Sequence, residues 1–146
     1  EKLDTQKRND LFSLAEESFV RAMSLNPLRP MTPHKWGLLL LEQNLETTDW
    51  GRAEEARKLI IRALEIDPRY YPARIDLARL YAAGQNHDQA WAVLEAGLKH
   101  HYQNVPDLIP YLQYTAEFRR AAGDQAGAGE MEQRIQEIKE RWTRAG

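Results

Sequence analysis

Apolar residues along this chain recur three and four positions apart, the spacing that places side chains on one face of an α-helix. No stretch alternates between apolar and polar residues over a length useful for a β-strand. The pattern predicts an all-α fold with seven helices at about residues 6–25, 33–45, 50–66, 71–83, 87–101, 107–122 and 125–144. We expect the helices to pair as hairpins and to stack into an α-α superhelix, because the pattern itself repeats.

The repeat is visible as a set of shared offsets. Residues Ala15, Phe19, Ala22 and Pro27 are spaced like Ala56, Ile60, Ala63 and Pro68. A third copy consists of Ala90, Leu94, Gly97 and Tyr102, and a weaker fourth of Ala128 and Ile135. Successive copies start 41, 34 and 38 residues apart, and periods of this size indicate a repeat architecture. We place the surplus residues in loops at 28–33, 44–50 and 103–106.

Helix ends are expected at residues with special backbone preferences. Prolines 33 and 72 lie near predicted helix starts, where the missing N–H costs little, and Asp107 is expected to cap the sixth helix. Left-handed backbone is expected at the reversals between paired helices, which carry Gly51, Gly84 and Gly123.

The third unit carries the fullest set of these marks, namely Leu77, Ala78, Tyr81, Ala90 and Leu94. This pattern resembles the tetratricopeptide repeat, a helix-turn-helix unit of about 34 residues. The second unit matches with Trp36 and Leu39 in the opening positions and Leu40 in place of a small residue, and the last with Leu112, Ala116, Gly123 and Ala128. The resemblance implies one domain over residues 1–146, with a half repeat at 6–27, repeats at 33–68, 71–102 and 107–144, and a capping helix at the end.

The resemblance also implies that the first helix of each pair lines a concave groove that holds a peptide or a partner domain. The groove positions carried over onto this chain are Leu38, Leu41, Leu45, Ile75, Asp76, Arg79, Gln113, Tyr114, Glu117 and Arg120. The clamp with which chaperone-binding members hold a terminal carboxylate is absent, since its positions carry Gly37, Leu41, Asp76, Pro110 and Tyr114. An extended or helical apolar segment is therefore the expected ligand.

These expectations lead to three hypotheses about function. The first is a non-catalytic interaction or scaffolding module that binds a protein or peptide. The second is a soluble appendage of a larger protein, since the chain begins at Glu1, lacks cysteine and resembles the extracytoplasmic repeat tails of some bacterial membrane polysaccharide polymerases and ligases. The third, an enzyme on a helical-repeat frame, has no feature of the composition in its favour. A cytoplasmic and a bacterial periplasmic location both remain open.

Composition narrows the classes of partner. The chain of 146 residues is 42% hydrophobic and 29% charged, as in globular proteins, and its net charge of -2 gives no field that favours nucleic acid. Its longest aliphatic run, Leu38–Leu41, is far shorter than the roughly 18 apolar residues of a membrane span. We therefore expect neither nucleic-acid binding nor membrane insertion of this segment.

Candidate chemistry is sparse. No two of the four histidines are spaced as ligands on one helical face, so we interpret them as solvated residues near helix ends and expect no metal or cofactor. The acidic pairs at 16–17 and 54–55 accompany Arg and Lys and are interpreted as solvated faces. The glycine-rich segment 123–129 lacks the strand and the lysine of a phosphate-binding loop and is interpreted as a turn. No catalytic residue is predicted.

The two terminal helices differ in character. The first spreads Leu11, Phe12, Phe19 and Val20 around more than one face, so we expect an upstream domain or a second copy of the chain to cover it. The last has a single stripe of Met131, Ile135, Ile138 and Trp142 and is interpreted as a capping helix, with a dimerising coiled coil as the alternative. The aromatic residues Trp36, Tyr81 and Trp91 are expected in the seams between units.

Overall fold

The computed structural model describes residues 2–47, 51–99 and 107–145, with side chains for residues 4–43, 52–99 and 107–145. Seven helices lie within these residues: α1 Lys2–Leu25, α2 Met31–Thr47, α3 Gly51–Ile66, α4 Tyr71–Ala83, α5 His87–Leu98, α6 Leu108–Ala121 and α7 Gln125–Ala145. The predicted all-α fold is confirmed. Helix α1 begins four residues before its predicted start and α2 extends beyond both predicted ends, while the expected loop at 103–106 falls outside the described residues.

Consecutive helices pack as the hairpins α2/α3, α4/α5 and α6/α7, with α1 packed against α2. Alanines allow the close approach of the paired helices, and Ala56, Ala63, Ala78 and Ala90 are all fully buried. One core cluster joins α3 to α4 through Ile60, Ala63, Ala73 and Leu77. A larger cluster joins the last four helices and includes Tyr71, Leu94, Tyr111, Leu112 and Met131.

Helix α2 approaches α3 closely at Gly37, whereas the small-residue position of this helix was predicted at Leu40. A Cβ atom at Gly37 would lie 2.9 Å from both the Ala56 carbonyl oxygen and the Ile60 side chain. Gly37 therefore occupies the small-residue position that Ala78 and Ala116 occupy in the later hairpins, and the predicted register of α2 was wrong by three residues. The interval from Gly37 to Ala56 is 19 residues, against 12 from Ala78 to Ala90. Most of the surplus lengthens α2, which continues to Thr47, ten residues beyond Gly37, whereas α4 ends five residues beyond Ala78.

The chain reversals confirm one glycine prediction and contradict another. Gly123 has a φ of 87°, and the Asp124 carboxylate accepts a hydrogen bond of 2.8 Å from the Gly127 N–H at the start of α7. Gly84 has a φ of -82°, and the left-handed residue in its turn is Gln85 with a φ of 62°. The backbone bond from the Asn86 N–H to the Tyr81 carbonyl holds this turn in place without a left-handed glycine. Asp107 precedes α6 at the N-cap position but makes no side-chain capping bond.

Helix α1 corresponds to the second helix of a hairpin, and it is less buried than the second helices α3 and α5. Its residues Ala15, Phe19 and Ala22 are half-buried, whereas the matching residues of α3 and α5 are fully buried by α2 and α4. Polar contacts hold α1 in place, since Glu16 accepts bonds from the Arg52 guanidinium and, at 3.2 Å, from the Trp36 indole N–H. The Arg52 hydrogen bond lowers the pKa of Glu16. Interpreting Glu16 as part of a solvated face was wrong, because this carboxylate joins three helices.

The aromatic residues lie in the seams between units, as predicted for Trp36 and Trp91. Trp36 stacks on Phe19 of α1 at 6.4 Å, and Trp91 stacks on Phe118 of α6 at 6.3 Å between ring centroids. The apolar stripe of α7 is buried at Met131 and Ile135, whereas Trp142 is 45% exposed. Helix α7 thus covers α6 with its first four turns.

We expect Ala63→Leu to destabilise the chain by about 1–3 kcal/mol, because the α3 position has no space for a longer side chain. Ala63 is fully buried among Ile60, Ala73 and Leu77. Urea denaturation followed by circular dichroism measures the change. The matched control is Ala96→Leu, which adds the same atoms at an exposed position of α5. Equal stability of the Ala63 variant and the parent would contradict the packing of α3 against α4.

Candidate functional site

The first helices of the three hairpins are joined side by side by polar side chains. His34 of α2 lies 2.7 Å from the Asp76 carboxylate of α4 through Nε2, and its Nδ1 lies 3.4 Å from the Tyr70 hydroxyl. In the neutral ring, Nε2–H donates to Asp76 while Nδ1 accepts from Tyr70. His34 is only 2% exposed, so interpreting it as a solvated histidine was wrong.

The same row of contacts continues from α4 to α6. Arg79 donates to Asp76 over 3.4 Å, and its guanidinium lies 5.0 Å from the centre of the Tyr114 ring. This is cation–π geometry, and it leaves the Arg79 side chain 61% exposed. The residues His34, Asp76, Arg79 and Tyr114 thus form a continuous connection across α2, α4 and α6.

The electrostatics of the row follow from partial burial. Burial raises the pKa of Tyr114, and the adjacent Arg79 opposes that shift. Burial also raises the pKa of Tyr70, with a further contribution from the negative charges of Asp107 and Asp76. Both phenols therefore remain protonated at neutral pH and serve as hydrogen-bonding groups.

Apolar side chains border the polar row. Leu38 and Leu41 of α2 and Ile75 of α4 are half-buried, with Leu41 packed on one core cluster and Ile75 on the other. We call the surface made by the polar row and these three residues the first-helix surface. Its members are His34, Leu38, Leu41, Ile75, Asp76, Arg79 and Tyr114.

The remaining predicted groove residues whose side chains the structure describes do not take part in this row of contacts. Gln113 and Glu117 are exposed on α6. Arg120 donates to Glu132 of α7, so its side chain is drawn toward the second helix of its own hairpin. The side chain of Leu45 lies outside the described residues. The structure thus joins Asp76, Arg79 and Tyr114 by direct contacts, and it does not join Arg120 to them.

Two residues of this region, His34 and Tyr70, were missing from the predicted groove. The sequence signal that could have found His34 is its distance from the small residue of its helix. His34 precedes Gly37 by three positions, as Ile75 precedes Ala78 and Gln113 precedes Ala116. Correct alignment of Gly37 would have placed His34 in the groove set beside Leu38 and Leu41.

In the part of the chain that the structure describes, no three His, Asp or Glu side chains lie close enough together to bind a metal ion. His100 and His101 lie outside that part. Three carboxylates of the acidic pairs form ion pairs, Glu16 and Glu55 with Arg52 and Glu54 with Arg57, and the hydrogen bond from Arg57 lowers the pKa of Glu54. The polar groups of the first-helix surface are therefore suited to hydrogen bonding and ion pairing.

A family model for the tetratricopeptide repeat matches residues 49–108. Residues 49–108 are a tetratricopeptide-repeat segment. The predicted resemblance to the tetratricopeptide repeat is thereby confirmed over helices α3 to α5. These helices include the third unit, which carries the most complete set of repeat residues. Tetratricopeptide-repeat modules generally mediate protein interactions and are generally non-catalytic.

One solved structure extends the likeness in fold beyond that segment. A human IFIT1 dimer with PPP-AAAA superposes with a TM-score of 0.68 over 91% of this chain, at 20% sequence identity. This chain spans 31% of the length of that protein, and at 20% identity the likeness shows the fold alone. Two structures of MamA cover 97% of this chain and 96% and 90% of their own, at 15% and 16% identity and TM-scores of 0.49 and 0.47. No curated protein sequence matches the chain.

Within the described residues, none of the helices combines the length and the apolar character that a bilayer crossing requires. The tetratricopeptide fold is typical of modules that bind other proteins. The first-helix surface combines half-buried leucines with an exposed guanidinium.

Proposed function

We propose that this chain is a non-catalytic interaction module that binds a peptide or a segment of a partner protein on its first-helix surface. The observation that carries the proposal is the row of contacts from His34 through Asp76 and Arg79 to Tyr114, which links the first helices of three successive hairpins. Stacked helical hairpins present such helices on a concave surface that suits an extended or helical ligand.

The composition of the surface supports a ligand with mixed character. Leu38 and Leu41 offer half-exposed apolar area at the α2 end, where an apolar side chain of a ligand would lose contact with water. Arg79 offers an exposed guanidinium at the α6 end, already oriented by Tyr114. A ligand with apolar residues followed by a hydrogen-bond acceptor or an acidic residue would match both ends.

The rigidity of the surface also favours binding. The buried His34 side chain fixes Asp76 between two helices, and Asp76 in turn contacts Arg79. Side chains that are already ordered lose less conformational entropy when a ligand binds, which leaves more of the contact energy for affinity. The buried residues of the row thus hold the surface in place, and the exposed parts of Leu41 and Arg79 contact the ligand.

Selection from a peptide display library against the intact chain, followed by calorimetric titration of the selected peptides, tests the proposal. We expect Leu41→Glu and Arg79→Glu each to weaken binding at least about tenfold, the size of effect typical of central interface residues. The matched control is Arg62→Glu, which makes the same charge change at a half-exposed position of α3. Unchanged affinity in both surface variants, or an equal loss in the Arg62 control, would contradict the proposed surface.

A further inference from the structure

Helix α1 exposes a stripe of leucines to solvent. Leu11, Leu14 and Leu25 are 67%, 59% and 81% exposed, and Leu28 just beyond the helix is 74% exposed. Within the helix, Leu11, Leu14, Ser18, Arg21 and Leu25 follow one another at alternating steps of three and four residues. That spacing places side chains along the seam of a coiled coil. Ser18 and Arg21 lie between Leu14 and Leu25, so the face carries exposed apolar side chains on both sides of a polar centre, and exposed apolar patches mark interaction surfaces.

The repeat itself does not account for this stripe. At the position of Leu11 the later units carry the polar residues Arg52, Asn86 and Asp124. At the position of Leu14, α3 and α5 carry the exposed Glu55 and Gln89, whereas α7 carries the buried Gly127. Glu55 is 50% exposed even though α2 covers its helix, so a preceding helix leaves this position open to water. Leu11 and Leu14 of α1 thus stand where α3 and α5 carry polar residues, whereas Leu25 stands at the position of the half-buried Ile66 of α3.

The stripe is complementary to itself in one orientation. If two α1 helices lie antiparallel and cross between positions 19 and 20, Leu14 of each copy lies opposite Leu25 of the other. Ser18 then lies opposite Arg21, where a small side chain gives space for a long one. In the same arrangement Glu17 lies beside Arg21 of the other copy, which pairs opposite charges. The two Arg21 residues lie on either side of the crossing, about 4.5 Å apart along the helix axis, and each lies beside Glu17 of the other copy, which compensates its charge.

We propose that two copies of this chain associate through an antiparallel pairing of their α1 helices. The contact is isologous, so one two-fold axis closes it and no further copies are added. The first-helix surface stays free in each copy, because Leu38, Leu41 and Arg79 lie on α2 and α4. The dimer therefore presents two binding surfaces, and a ligand with two matching segments would gain affinity from binding both.

Sedimentation equilibrium of the intact chain tests the association. We expect a monomer–dimer equilibrium in the micromolar range, and we expect Leu14→Glu and Leu25→Glu each to raise the dissociation constant at least about tenfold. Arg62→Glu on α3 is the control and leaves the equilibrium unchanged. A parent chain that remains monomeric throughout this range overturns the proposal, as does a dimer that both α1 variants leave intact.

Charge reversal tests the pairing of Glu17 with Arg21. Glu17→Arg and Arg21→Glu should each weaken the dimer, and the double variant should restore it, because it exchanges the charges in both copies at once. The double variant also keeps the two opposite charges four residues apart on the same helix, so a loss of helicity does not explain the result. Failure of the double variant to restore association overturns the pairing.

Disulfide trapping distinguishes the orientation, since the chain has no cysteine of its own. A disulfide requires Cβ atoms about 4 Å apart. A mixture of Leu14→Cys and Leu25→Cys chains should therefore form the mixed disulfide in preference to either homodimer. Preferential cross-linking of Leu14→Cys to itself would show a parallel pairing and overturn the proposed arrangement.

Discussion

Replacement of Gly97 by alanine is expected to destabilise the chain by about 2 kcal/mol, within the range for overpacked cores. Gly97 lies in α5 where α6 crosses it, and an added Cβ atom would overlap the Tyr111 hydroxyl and the Arg74 side chain. Tyr111 is fully buried, donates to the Leu94 carbonyl, and stacks on Tyr71 with 4.5 Å between ring centroids. Because the phenol is held on both sides, it cannot move away without breaking one of these contacts.

Gly129→Ala is the matched control for this substitution. Gly129 is also helical, in α7, but an added Cβ atom would meet nothing within 4 Å. Alanine there should stabilise the chain by about 0.5–1 kcal/mol, since glycine loses more backbone entropy in a helix. Thermal unfolding should therefore lower the Tm for Gly97→Ala and raise it for Gly129→Ala, by about 2–4 °C for each kcal/mol. A Gly97 variant as stable as the parent would contradict the crossing of α5 and α6.

Periodicity predicted the helices of this chain because most of them bury one face and leave the other in water. The shared offsets of Ala56 and Ala90 with the apolar residues that follow them predicted the buried centre of each hairpin, since only small residues permit that approach. The match to the tetratricopeptide repeat over residues 49–108 covers the region where these offsets equal the family period. In this region the spacing of residues determines the packing directly.

The register of α2 could not be obtained in the same way. Its hairpin has surplus residues before α3, so counting back from Ala56 does not lead to the small residue of α2. Trp36 and Leu39 imitate the opening of a repeat, whereas the contact that fixes the register is the approach of Gly37 to the Ala56 carbonyl. That contact depends on how far α2 continues beyond Gly37 before the chain turns to α3, and no local pattern indicates that length.

Some residues of the candidate site could be named from the sequence because they lie at repeat positions. Others were missed, because their contacts are made with a neighbouring repeat unit. Asp76, Arg79 and Tyr114 were named from their positions alone, and the structure brings them into contact. His34 looked like an ordinary helix-end histidine, because its partners lie 36 and 42 residues further along the chain. A polar residue of this kind is recognised only when the neighbouring helix is in place.

Arg74 is a second polar residue whose partners lie in neighbouring elements. Arg74→Ala is expected to destabilise the chain by about 4 kcal/mol, because it removes buried packing and the hydrogen bonds that the charged guanidinium donates. The side chain is 7% exposed, and its guanidinium donates to the Val93 carbonyl of α5 at 2.9 Å and to the Pro68 carbonyl after α3 at 2.7 Å. Burial lowers the pKa of Arg74, which shows that the cation loses hydration where it lies. The two hydrogen bonds offset that loss and join three consecutive elements.

Arg74→Met separates the two contributions, because methionine retains most of the buried volume and removes the donors. We expect about half of the loss seen for alanine, since the Pro68 carbonyl loses its charged donor while the cost of burying the cation is removed. Arg79→Ala on the same helix is the control, and its 61% exposed side chain should change stability by about 0.5 kcal/mol or less. Urea denaturation of the four proteins gives the comparison. An Arg74→Met chain more stable than the parent would show that burying the cation costs more than its two hydrogen bonds return, which would contradict the proposed role of Arg74 as a joint between α3 and α5.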